Sequence, residues 1–202
     1  MGLRLHYSPY SHTSRKVRLA AAELGIALEL QPVDLGQGGQ RTESFRTLNP
    51  NGKVPVLEDG GWSLWESTAI AVYLCETVPE TPLWPREPRR RAEVHRWLAW
   101  EIAHLGRAAT TLIIERVVKG GGTPAIIADG EAELARALGV LDGWLARHRH
   151  VAGDELSLAD LAVAAPLMYR KLGAGFDVTT HDHVCRWLAA VEARESWRLT
   201  EP

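Results

Sequence analysis

The chain has 202 residues, 46% hydrophobic and 24% charged, with a formal net charge of −2. That make-up suits a globular protein of one large or two small domains. The near-neutral, slightly acidic balance argues against electrostatic binding to nucleic acid or a membrane surface. No run reaches the roughly 18 apolar residues of a membrane span. The first residues show no charged segment followed by an apolar stretch and a small-residue cleavage site, so no signal peptide is expected. Cys75 and Cys185 are the only cysteines. Both sit in apolar helical contexts far apart, so buried, reduced thiols in a cytoplasmic protein are expected.

Residues 3–8 alternate and predict a strand; residues 13–24 predict a helix stopped by Gly25. Residues 28–33 predict a second strand, parallel to the first because the connection is long enough for a crossover. The glycine- and glutamine-rich stretch from Gly36 to Thr42 reads as a mobile loop. Asn51-Gly52 marks a turn, Val56-Leu57 a strand, Asp59-Gly60 a hairpin and Leu64-Trp65 its return. A helix then runs from Glu66-Ser67 through Leu74. The order β-α-β-(α)-β-β-α resembles a thioredoxin-like domain over residues 1–78.

Pro79, Pro82, Pro85 and Pro88 punctuate a linker over residues 79–88. The rest, residues 89–202, is expected to be an all-α bundle domain. Arg89-Arg90-Arg91 reads as a solvated helix start. Val94, Trp97, Leu98, Ile102, Leu105, Leu112 and Ile113 form one apolar stripe, ended by Gly120-Gly121-Gly122. Further helices are expected over 132–145, 158–168 (apolar on nearly every face, hence central) and 183–194. Ser157-x-x-Asp160 matches a capping box and is read as structural. There is no internal repeat.

The chemistry concentrates in the first domain. Pro55 cannot donate to a central ladder, and a cis bond before it leaves the backbone of Val54 free to face a ligand. The helix start at Glu66-Ser67 offers unpaired N–H groups and suits a carboxylate. Ser11 lies between the first strand and the first helix. A hydroxyl there either caps the helix or donates to an anion. A thiol of pKa about 8.5 is mostly protonated at neutral pH, and lowering it by about 2 units takes about 2.7 kcal/mol. A charge-assisted hydrogen bond of about 1.5–3 kcal/mol, helped by a helix terminus, supplies that. So a serine without a base fits the stabilisation of a substrate thiolate better than a covalent nucleophile. Tyr7 and Ser14 are rival donors. Residues 7–15 contain no cysteine, which weighs against thiol-transfer chemistry.

The segments "LHYSPYSHTSRKVRLAAAELGI", "VDLGQGGQRTESFRTLNP", "LNPNGKVPVLEDG" and "LWESTAIAVYL" resemble the glutathione transferases. Serine-type members are closest, the phi class first and the theta and zeta classes near. The match is strong over residues 3–78 and looser after. The resemblance implies a cytoplasmic detoxification enzyme, usually a homodimer. It conjugates glutathione as co-substrate to a small hydrophobic electrophile in a cleft between domains, without a cofactor. Ser11 takes the thiolate role. Val54, before cis-Pro55, pairs with the cysteinyl part of glutathione. Lys53 and the Gln40-Arg41 pair approach the glycyl carboxylate. Gln40 departs from the family's His-Lys pattern, and Arg41 keeps a charge. Glu66 takes the γ-glutamyl amine and Ser67 its carboxylate.

The resemblance puts the electrophile near Tyr10 and near the long helix, where Trp100, His104 and Arg107 share a face; that face equally suits a dimer interface or core. The pairs His148-x-His150 and His181-x-His183 lack a ligand framework, so no metal is expected. Two other readings remain open: a glutathione-dependent isomerase or dehalogenase, for which the zeta cysteine is missing, and a non-catalytic glutathione or ligand carrier, favoured only by Gln40.

Overall fold

A computed structural model describes residues 2–202, which divide into two compact units: residues up to Thr81 together with Arg194–Pro202, and Pro82–Ala193.

The first unit is a four-stranded mixed sheet with helices. Its elements are β1 (Leu3–Tyr7), α1 (His12–Leu24), β2 (Leu28–Pro32), α2 (Glu43–Leu48), β3 (Val56–Asp59), β4 (Trp62–Trp65) and α3 (Ser67–Glu76). The strand order is β2-β1-β3-β4. β1 runs parallel to β2, and β3 runs antiparallel to both β1 and β4. This is the thioredoxin-like arrangement. α1 ends as its sequence predicts: Gly25 takes φ 67° and its N–H returns to the Ala21 and Ala22 carbonyls. The hairpin turn falls on Gly60-Gly61, at φ 57° and 90°, one residue later than Asp59-Gly60.

Leu5 and Leu57 are cross-strand partners and point to one sheet face. They meet Val17 and Ala21 of α1 and Ile70 and Leu74 of α3 in a fully buried core. On the other face, the Phe45 ring of α2 meets His6 edge-on at 6.1 Å. The Gly36–Thr42 segment is less open than expected. It closes as a 3₁₀ turn over Gly39–Arg41, anchored by Gly39 N–H on the Asp34 carbonyl at 2.8 Å.

The second unit is helical. α4 (Pro88–Trp100) is started by Pro88 and capped by the Glu87 carboxylate, which accepts from Arg89 and Arg90 N–H. The same helical run continues through a π turn (Glu101–Leu105), α5 (Gly106–Leu112) and a second π turn (Ile113–Val118). The stripe expected from α-helical spacing breaks at one residue: Ile102 is 56% exposed and Glu101 is buried in its place. A π turn inserts one residue per turn and rotates the following face.

α6 (Pro124–Leu145) begins well before the expected Ala132, because Pro124 occupies its first position. α7 (Leu158–Ala164) is buried along its whole length and tightens into a 3₁₀ turn (Ala165–Lys171) at Pro166. α8 (Asp182–Glu192) completes this unit. The last helix, α9 (Glu195–Leu199), belongs with the first unit, so residues 89–202 do not form one domain. Arg15 of α1 stacks on Trp197 at 3.9 Å and donates to its carbonyl at 2.9 Å. Arg18 donates to the Thr200 carbonyl at 3.1 Å, and Arg194 pairs with Glu23 at 2.6 Å.

Candidate functional site

Three segments of the first unit converge: the start of α1, the loop before β3, and the start of α3. Ser11 is the N-cap of α1, with extended φ and ψ, and its Oγ accepts from Ser14 N–H at 3.1 Å. The capping bond uses a lone pair and leaves the hydroxyl hydrogen uncommitted to the helix. Ser11 Oγ also lies 2.8 Å from Thr13 Oγ1, and Thr13 Oγ1 donates to the Val54 carbonyl at 3.3 Å.

Ser14 is fully buried, its Oγ accepting from Ser8 N–H at 3.3 Å. Its burial argues against it as a donor to a ligand. Tyr7 packs against the sheet core with the Arg18 guanidinium 5.0 Å over its ring. His12 is partly covered and its Nδ1 is enclosed. Burial, then the Lys16 charge, push it down to about 3, so it is neutral and a poor base at working pH.

The Val54–Pro55 bond is cis. Pro55 is buried, Val54 is half-buried, and Lys53 is exposed. Asn49 holds the loop from beneath: its Nδ2 donates to the Lys53 carbonyl at 2.7 Å and its Oδ1 accepts from Asn51 N–H at 3.0 Å. Gly52 has φ 59°, and a side chain there would approach the Gln40 carbonyl at 3.0 Å. So Gln40 packs against this loop through its backbone. Its side-chain Oε1 is enclosed, and Arg41 is exposed.

Glu66 is the one described residue other than glycine with positive φ, at φ 72° and ψ 110°. It precedes the first turn of α3, and its side chain is exposed. Sparsely populated backbone at a helix start persists where surroundings impose it. Ser67 is 8% exposed. Lys16, at 1% exposure, sends its Nζ to Thr68 Oγ1 at 3.3 Å. A buried cation of α1 therefore reaches the first turn of α3, whose N–H groups favour an anion.

Thr13 and Lys16 did not stand out in the sequence. Thr13 is one hydroxyl among several at a helix start. The one available signal for Lys16 is its place with Arg15 and Val17 at the opening of an apolar helix.

Tyr10, in the turn before Ser11, is 62% exposed. On the second unit, Trp100, His104 and Arg107 line one cavity of about 290 Å³ with Glu133, to which Arg107 is ion-paired. Trp100 and Val140 continue into a neighbouring apolar groove of about 460 Å³ lined by Trp97 and Trp144. His148 stacks on Trp144 at 4.0 Å, and His150 Nδ1 lies 3.3 Å from Asp160 Oδ1. Among the described residues no group of three or more His, Cys, Asp or Glu is placed to hold a metal ion. No described helix is long and apolar enough to cross a membrane.

Comparison with known proteins agrees with this arrangement. Residues 5–82 match the glutathione S-transferase N-terminal domain and residues 115–195 its C-terminal domain. A glutathione S-transferase of Hyoscyamus muticus is 33% identical, with 98% of this chain and 96% of that protein covered. Glutathione S-transferase 3 of Zea mays is also 33% identical, covering 98% and 92%. Among solved structures, glutathione transferase F7 of Populus trichocarpa superimposes with a TM-score of 0.91 at 27% identity, covering 98% and 97%. A delta-class glutathione transferase of Nilaparvata lugens gives 0.89 at 31%, covering 98% and 92%. With both domains matched and relatives aligned along nearly its whole length, the chain belongs to the glutathione S-transferase superfamily, near the phi class.

Proposed function

We infer that this glutathione transferase lowers the pKa of bound glutathione through Ser11 and presents the thiolate to a hydrophobic electrophile. The observation that carries the reading is the Ser11 hydroxyl. It caps α1 through a lone pair, so the cap does not use its hydrogen, and it stands beside the N-terminal end of the helix. His12, neutral and enclosed, takes no part as a base.

The remaining roles follow the three segments. The Val54 backbone before cis-Pro55 pairs with the cysteinyl part of glutathione. Ser67 and the first turn of α3 take the γ-glutamyl carboxylate, and the exposed Glu66 its amine. Lys53 and Arg41, both exposed, approach the glycyl carboxylate, with Gln40 supporting the loop. The exposed Tyr10 ring, next to Ser11, offers an apolar face to the electrophile.

Trp100, His104 and Arg107 line a cavity that adjoins, through Trp100 and Val140, the apolar groove of Trp97 and Trp144. We assign that groove to contact with a second copy in a homodimer. It is too apolar to stand in water without a reason. A cytoplasmic setting suits the use of glutathione as a reduced thiol, and Cys75 and Cys185 are unbonded. Detoxification of electrophiles is the role that this chemistry serves.

The test is the ultraviolet thiolate absorbance of bound glutathione against pH, in the unmodified protein and in Ser11→Ala. A bound-thiol pKa well below that of free glutathione, lost in the variant, supports the reading. Glutathione bound with an unshifted thiol overturns it in favour of a carrier.

A further inference from the structure

Ser11, Thr13 and Val54 pose a question of hydrogen placement. Ser11 Oγ and Thr13 Oγ1 are 2.8 Å apart, and Thr13 Oγ1 is 3.3 Å from the Val54 carbonyl. Two oxygens at 2.8 Å need one hydrogen between them. Each hydroxyl owns one hydrogen, and a carbonyl only accepts. When Thr13 donates to Val54, the hydrogen between the two hydroxyls must come from Ser11. In that state Ser11 has nothing left to give a thiolate.

We propose that Thr13 is a positioning residue that sets the hydroxyl direction of Ser11, switching its own hydrogen from the Val54 carbonyl to Ser11 Oγ when glutathione binds. The inference rests on the thiolate role of Ser11 given above. When Ser11 turns its hydrogen to the thiolate, its oxygen and that of Thr13 face each other without one. Thr13 then rotates and donates to Ser11. The Val54 carbonyl, released by Thr13, takes the cysteinyl N–H of glutathione. Every donor keeps one acceptor throughout, and no proton changes owner. The longer bond, 3.3 Å to Val54, is the one given up.

The chain Thr13 to Ser11 to thiolate is a run of hydrogen bonds in one direction, and such runs strengthen their last member. Thr13 thus couples two ends of the site: occupation of the Val54 backbone and readiness of the Ser11 hydroxyl. It touches no reacting atom itself. Ser14 N–H donates to Ser11 Oγ in both states, so the helix cap is not disturbed.

The experiment is the same thiolate titration in Thr13→Val and Thr13→Ser, with Thr13→Ala as a second hydroxyl-free variant and Ser11→Ala as reference. Binding of S-methylglutathione, which has no ionisable thiol, is measured beside it. The expected result is a bound-thiol pKa raised by about half to one unit in Thr13→Val and Thr13→Ala. Thr13→Ser should titrate as the unmodified protein does, and S-methylglutathione affinity should change less than two-fold. A hydroxyl-free variant whose bound thiol titrates normally overturns the proposal, provided Ser11→Ala raises the pKa. A Thr13→Ser variant as impaired as Thr13→Val also overturns it, since packing is then responsible. If Ser11→Ala itself leaves the bound thiol unchanged, the thiolate role of Ser11 falls and this proposal falls with it.

Discussion

Lys16 Nζ lies 3.3 Å from Thr68 Oγ1, inside the first turn of α3, on a side chain only 1% exposed. A cation next to a helix N-terminus opposes the helix dipole. The γ-glutamyl carboxylate placed at Ser67 in the reading above would share that turn, and a positive charge beside it would favour the anion. Lys16→Met should therefore weaken glutathione binding about ten-fold, in line with loss of one charge-assisted interaction. The pKa of the bound thiol should stay put, since Ser11 and Thr13 are untouched. Calorimetric titration with glutathione, paired with the thiolate spectrum, separates the two effects. Unchanged affinity in a folded Lys16→Met protein would leave the lysine with packing alone.

The tail from Arg194 to Pro202 closes on α1, the helix that begins at Ser11. Arg15, 2% exposed, stacks on Trp197 and donates to its carbonyl and to Thr200 Oγ1. Removing the guanidinium in Arg15→Met loses both donors and the cation–π contact, a destabilisation of about 2–3 kcal/mol. A thermal melt reads it directly, and a melt within a degree of the unmodified protein would refute it.

The same contact carries a pH dependence. Burial alone would raise the Glu23 carboxyl, but hydrogen bonds from Arg194 and Ser196, with the Arg194 charge, outweigh it and hold it below its ordinary 4.5. A carboxyl lowered on folding stabilises the protein above its unfolded pKa, and that stability is lost as pH falls through the folded value. Glu23→Gln should cost about 1 kcal/mol at neutral pH, discounted for the partly exposed Arg194, and nothing at pH values well below the folded pKa. Denaturant unfolding of both proteins from pH 7 down into the acid range checks the convergence.

Asp160, fully buried, is the most heavily used carboxylate in the second unit. It accepts from Val151 N–H at 2.9 Å, Ser157 N–H at 2.8 Å, Ser157 Oγ at 2.9 Å and Trp187 Nε1 at 2.8 Å. Asp160→Ala strands four buried donors and should cost about 3–5 kcal/mol or prevent folding. Asp160→Asn keeps the shape and part of the acceptors, so it should fall between. Circular dichroism melts of the two variants give the ranking, and an Ala variant as stable as Asn would contradict it.

Signals confined to a few neighbouring residues were legible in the sequence. Gly25 ends α1 and Ser157 with Asp160 opens α7, each through chemistry within one turn, whereas Pro88, expected in the linker, is the first residue of α4. The parallel β1–β2 pair and the β3–β4 hairpin likewise follow from spacing and turn residues, whereas the β1–β3 pairing does not. Three further features were not legible. Ile102 is exposed because a π turn rotates the face, and no local residue type marks that insertion. α9 joins the first unit through Arg15, Arg18 and Glu23, contacts separated by more than 170 positions. In the candidate site, Ser11, Val54 and Ser67 stood out by type and context, but Thr13 acquires meaning only from two distances. Hydrogen direction between hydroxyls is a property of three-dimensional arrangement, and periodicity carries no trace of it.

Val140 is 56% exposed and lines the apolar groove with Trp97, Trp100 and Trp144. The enclosed indole nitrogens of Trp97 and Trp144 have no acceptor among the described residues. An apolar face of this kind, rimmed by Arg96 and Arg147, is suited to a partner surface rather than to water. Because Val140 is exposed on α6, replacing it should leave the fold of one chain nearly unchanged, within about 0.5 kcal/mol. Val140→Arg would bury an unpaired charge in any contact made there and should weaken self-association by at least ten-fold. Sedimentation velocity across a concentration series measures the change, with thermal melts showing that each chain still folds. A Val140→Arg protein that remains as associated as its parent would move the proposed self-contact to another face, and the exposed Trp62 and Trp65 of β4 would be the next to alter.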